Sequence, residues 1–142
     1  MSTTHDFGAG PIPAHRHENG GGWVADSATV HASAHIAMSA VIGPEASIGA
    51  RASIQNSRDV LHIPMIGSRD DSLTIYPHQD GGVHVRHGAG CEHESLDAFE
   101  SAVRAKHGDN IHAREYLAVI ALARVRFGRL LDGREHGEVP HD

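Results

Sequence analysis

The chain has 142 residues, enough for one compact domain or two small ones, and its aromatics are few: one Trp, two Tyr and three Phe. Its net charge of −6 argues against a nucleic-acid polymer as partner, because non-specific binding of that kind rests on a basic surface. The single cysteine, Cys91, excludes an intrachain disulfide and argues against a Cys-based zinc site, and no run approaches the roughly 20 apolar residues of a membrane span.

Residues 1–22, "MSTTHDFGAGPIPAHRHENGGG", lack the apolar centre of a signal peptide, so a cytoplasmic protein is expected. Their Gly and Pro content reads as a disordered tail. His5, His15 and His17 fall in that tail without the fixed spacing of zinc ligands, so no metal is expected there.

From Val24, steps of six land on Val30, Ile36, Ile42, Ile48, Ile54, Val60 and Ile66. Four residues after the early members come Ala28, Ala34, Ala40, Ala46 and Ala52, and then Arg58 and Pro64. A helix repeats at 3.6 and a strand at 2, so neither explains a six. A hexapeptide period points to a parallel β-helix, in which the branched residue fills the interior and the small one permits the bend. The pattern resembles the left-handed β-helix of hexapeptide-repeat proteins, a family of mostly trimeric acyltransferases with lyase-like and binding members. The resemblance implies a mainly β fold, with a short left-handed β-helix over residues 23–68. So short a solenoid needs capped ends and neighbours. A homotrimer is expected, extended to a hexamer if the helices pair, with Trp23 as a plug at the N-terminal end.

Further along, "SLTIY" and "VHVRH" flank an Asp-Gly turn, which predicts a β-hairpin within residues 69–90. Residues 91–131 read as a helical hairpin. Ser95 caps a first helix that ends at Gly108, with Leu96, Phe99, Ala102 and Val103 as its buried stripe, and a second helix starts after Asp109 or Asn110. Residues 132–142 read as a polar tail. This C-terminal half, with "IGSRDDSLTIY" and "HGDNIHAREY", is similar to transferase-like hexapeptide-repeat proteins of bacteria and phages whose activity is not settled. It departs from them at Gly90-Cys91-Glu92-His93-Glu94.

Three function classes follow. The family resemblance implies an acyltransferase in which a coil-edge histidine deprotonates the acceptor, with His31, His35 and His62 as candidates for that base. The stretch "SIQNSRDVLHI" also resembles γ-class carbonic anhydrases at Gln55 and His62, and the spacing of His107 to His112 matches the remaining ligand pair by number. That pair spans a helix junction, so no metal is expected. Cys91 beside His93 or His107 suggests a nucleophilic thiol, against which stands a simpler reading as a small buried or partly buried cysteine.

The preferred reading is a non-enzymatic binding protein that needs no cofactor. Gly67 and Ser68 offer donors at a turn, and Arg69 adds a planar fork for phosphate or carboxylate. Arg58 and Arg86 are expected to join it, and Tyr76 to stack on a base. In a trimer these residues would form an intersubunit site for a small anionic ligand such as a nucleotide. In a phage-encoded chain such a site would sequester a host nucleotide signal. A purely structural trimer, for assembly or decoration, is the third class.

Overall fold

The computed structural model describes residues 3–67, 70–88 and 91–131. The period of six becomes a series of very short strands. They are β3 (Trp23–Ala25), β4 (Thr29–Val30), β5 (His35–Ile36), β6 (Val41–Ile42), β7 (Ser47–Ile48) and β8 (Ser53–Ile54), and they follow β1 (Thr4–Asp6) and β2 (Pro11–Arg16). Three parallel pairs form at one offset: Trp23 with Val41, Thr29 with Ser47, and His35 with Ser53. Ile36, Ile42, Ile48 and Ile54 are at most 1% exposed, and Ala34, Ala40, Ala46 and Ala52 lie against them, so branched and small residues together make one core. Turn serines link successive layers, because Ser27 and Ser33 hydroxyls accept the Glu45 and Arg51 amides at 3.2 and 2.9 Å.

The repeat stops after Ile54, earlier than its spacing suggests. Asn56 caps a single 3-10 turn at Ser57–Asp59, and the buried Asp59 carboxylate accepts the Gln55 amide at 2.9 Å. Beyond this turn Val60 only edges the first core, while Ile66 packs into a second one.

The N-terminal segment is not a disordered tail among its described residues. β1 and β2 form an antiparallel hairpin, and β2 pairs antiparallel with β3. Pairing satisfies the edge of β3 that would otherwise be open. His17 is buried and donates through Nε2 to the Ala34 carbonyl at 2.8 Å. Trp23 does not join the core. It carries the His5 ring at 4.8 Å and the Arg16 guanidinium at 4.3 Å, and so holds the hairpin instead of plugging an end.

The remaining strands are β9 (Leu61–Ile66), β10 (Asp71–Pro77), β11 (Val83–His87) and β12 (Cys91–His93), followed by α1 (Leu96–His107) and α2 (Ile111–Arg126). The four strands make one antiparallel sheet in the order β12-β11-β10-β9, a larger unit than the expected two-stranded hairpin. β10 is the hinge of the architecture. Its alternation sends Tyr76 into the hexapeptide core and Leu73 and Ile75 into the core under the helices, so the strand is buried on both faces. Ser95 caps α1 by accepting the Ala98 amide at 3.0 Å, and Asn110 caps α2 by accepting the Ala113 amide at 3.0 Å. The molecule is mainly β, and no described helix is long and apolar enough to cross a membrane.

Candidate functional site

The period-two alternation of β11 and β12 gives this corner of the sheet two chemically different faces. His87, Cys91 and His93 point toward the helices, whereas His84, Arg86 and Glu92 point toward the hexapeptide strands. His87 lies directly across from Cys91, and Val85 across from His93.

On the helix side these residues border a cleft of about 170 Å³ between β11, β12, α1 and α2. Phe99, Ala102, Val103, Lys106 and His107 supply its α1 wall at the three- and four-residue spacing of one helix face. Tyr116 of α2 closes the remaining side. The Tyr116 hydroxyl lies 3.0 Å from His87 Nε2, and the His107 ring stacks on Tyr116 at 5.9 Å. The His93 ring leans on Phe99 at 5.1 Å. Its Nε2 is 3.7 Å from the Cys91 sulfur, and burial pushes its pKa below 6.5, so the neutral imidazole is the favoured form. Cys91 is exposed at the mouth, contrary to the buried or partly buried cysteine expected from the sequence, because β12 is an edge strand. Among the described residues no Asp or Glu lines this cleft, although the chain is acidic overall. Lys106, the one lysine, makes no ion pair among the described residues.

The opposite face holds a charged cluster. His84 is buried, with Nδ1 2.8 Å from Glu92 and Nε2 3.0 Å from Asp80. Burial alone would raise the Asp80 carboxyl, but the Gly82 amide, His84 and His78 outweigh it and hold the pKa at about 2. Glu92 is likewise held below its usual range, since His84 and Arg86 outweigh the effect of burial. His78, His84 and Glu92 are close enough to suggest a metal triad. The two rings, however, are stacked face to face at 3.8 Å and 5°. A ligating imidazole holds its metal near its own plane, and two parallel planes share no such point. This arrangement suits ion pairing, not metal.

The residues singled out from the sequence are dispersed. His31 is exposed, with Nδ1 accepting the Ser33 amide at 3.1 Å, and His35 lies 3.3 Å from the Asn19 side chain. His62 sits on β9, 3.0 Å from the Thr74 hydroxyl, and its Nε2 is buried without a partner. Gln55 is exposed and bonds Ser53 at 3.2 Å. Among the described residues of the one chain, His62, His107 and His112 form no metal group.

The anion site expected around the end of the repeat is not assembled by its described members. Tyr76 is fully buried and accepts the Gly49 amide at 3.0 Å, so it cannot stack on a base. Burial pushes its hydroxyl up to about 12. Arg86 turns inward, donating to Ser47 at 2.9 Å and Glu92 at 3.1 Å, whereas Arg58 lies exposed in the 3-10 turn beside Arg126. The Gly67 amide donates to Glu115 at 3.0 Å and is unavailable to an anion. Ser68 and Arg69 lie outside the described residues.

Compared with known proteins, the chain matches no family model, no curated protein and no solved structure. The cleft residues that sequence reasoning passed over are His87, Lys106 and Tyr116. The alternation in "VHVRH" and "CEH" was a usable signal for the strand side. Nothing local announces Lys106 or Tyr116.

Proposed function

We propose that this chain is a non-enzymatic binding protein for a small anion with a ring-sized apolar body, held in the cleft between β11, β12 and α1. One observation carries this reading: in a chain of net charge −6, the described residues lining this cleft include no Asp or Glu and instead include Lys106 and three imidazoles. Size narrows the ligand. An engineered apolar cavity of about 150 Å³ encloses a benzene ring, so a cleft of about 170 Å³ takes one ring and leaves a sugar or phosphate outside. A nucleotide would therefore insert its base against Phe99 and direct its phosphate to the Lys106 rim. The lining residues named here all come from one chain.

The binding chain is proposed to be a homotrimer built on a short left-handed β-helix of the hexapeptide-repeat type. The three parallel pairs at one offset, with Ile and Ala alternating in the core between them, support the solenoid. Exposed Met38 and Met65 support burial against further copies.

The test is titration with benzoate and with adenosine monophosphate, followed by the NMR signals of the imidazoles. The expected result is saturable movement of the His87, His93 and His107 signals, with Lys106→Gln weakening affinity about fivefold, as suits a partly exposed charge-assisted contact. Movement confined to the exposed His31, or none at all, overturns the reading.

A further inference from the structure

We propose that the cleft receives the C-terminal residue of an extended peptide, with an aromatic last side chain inside it and the peptide backbone added as a strand to the free edge of β12. The proposal rests on the cleft reading for the pocket, and on the open edge of β12 for the backbone.

β12 pairs with β11 on one side, and no described strand pairs with its other side. Glu92 stands in the middle of that edge. The residue as a whole is exposed, although its side chain, turned to His84 and Arg86, is only 27% exposed, so its main chain lies open. In an antiparallel pair every second residue points its amide and carbonyl away from the partner, and the open main chain marks Glu92 as such a residue. These two groups are a template for one residue of another extended chain.

Edge and cleft adjoin, because Cys91 and His93, on either side of Glu92, both line the cleft. A peptide residue set opposite Glu92 shares its face of the sheet. The next residue of the peptide therefore directs its side chain to the helix side, where the cleft opens. In a peptide antiparallel to β12 that next residue lies beside Cys91. Cys91 pairs with His87, His87 Nε2 lies 3.0 Å from the Tyr116 hydroxyl, and Tyr116 carries the His107 ring at 5.9 Å. His107 and its neighbour Lys106 thus stand at the Cys91 end of the cleft, whereas Phe99 stands at the His93 end. A terminal carboxylate at the Cys91 end meets the Lys106 ammonium, and an internal stretch of peptide brings no charge there. The cleft of about 170 Å³ takes the one ring of the last side chain.

The experiment uses the full chain and the acetylated peptide Ala-Ala-Val-Phe, with benzoate as a ligand that has the ring and the carboxylate but no backbone. By calorimetry the peptide is expected to bind at least about tenfold tighter than benzoate, because it adds main-chain bonds. Converting its terminal carboxylate to an amide should weaken it about tenfold. Methylating the nitrogen of its valine, the residue opposite Glu92, should also weaken it about tenfold. The Glu92 amide hydrogen should exchange more slowly with the peptide bound and be unaffected by benzoate. A peptide no tighter than benzoate, or one indifferent to either change, overturns the proposal. If benzoate still moves the cleft imidazoles in that case, strand addition fails alone. If neither ligand moves them, the cleft reading and this proposal fail together. If the peptide binds with both discriminations and benzoate does not, strand addition stands and the small-anion reading fails.

Discussion

The Gly49 amide donates to the Tyr76 hydroxyl at 3.0 Å, across the ground a side chain at position 49 would occupy. This contact ties the hexapeptide strands to the central strand of the antiparallel sheet, and both residues are buried. A Cβ at Gly49 would run into Glu92, the Tyr76 hydroxyl and Arg86. Gly49→Ala is expected to destabilise the fold by about 1–3 kcal/mol through overpacking. Tyr76→Phe leaves the Gly49 N–H buried without a partner, at a cost of about 1–3 kcal/mol. Urea denaturation of both variants measures this, and the double variant should cost less than the sum because the two share one contact.

Stability should fall as the pH drops below neutrality. Burial holds His62 and His93 below the ordinary histidine value of 6.5, and His62 Nε2 has no acceptor for the extra proton. As the pH falls through 6.5 the unfolded chain takes up protons that the folded chain refuses, so the folded state loses ground. The melting temperature is expected to be lower at pH 5.5 than at pH 7.5, and a thermal melt at each pH checks it. His62→Gln should flatten that drop. A second decline belongs to Asp80, whose contribution is present above its ordinary value of 3.8 and is lost as the pH falls toward about 2.

The exposed face of α2 predicts how the chain assembles. Ile111, Leu122 and Val125 are 62%, 45% and 82% exposed, and with Ala118 they fall on one side of the helix. The wild-type protein is expected to sediment as a trimer, or as paired trimers joined through this face. Leu122→Glu with Val125→Glu should abolish the pairing and leave the melting temperature almost unchanged, since neither side chain is buried in one chain. A wild-type monomer at micromolar concentration defeats the assembly.

What was legible in the sequence was local or periodic. The run of Ile and Val at every sixth residue, with Ala between, encodes the first core directly, because each step meets a neighbour at a constant offset along the chain. Ser95 before α1 and the Asp-Gly turn before β11 are likewise decided by a few adjacent residues. The N-terminal hairpin escaped this kind of reading. Its Gly and Pro content signals disorder, and only the open edge of β3 and the Ala34 carbonyl give it partners. The surroundings of Tyr76 and Arg86 escape such a reading for the same reason: a polar tip says nothing of its neighbours until Gly49, Ser47 and Glu92 are brought to it. The cleft lies furthest from the sequence. Cys91 and His93 are neighbours on one strand, but His87 meets Tyr116 across a separation of 29 residues, and Lys106 arrives only when α1 packs over the sheet. The chain's own periodicity determined its repeats, whereas packing between distant elements decided which side chains line the cleft.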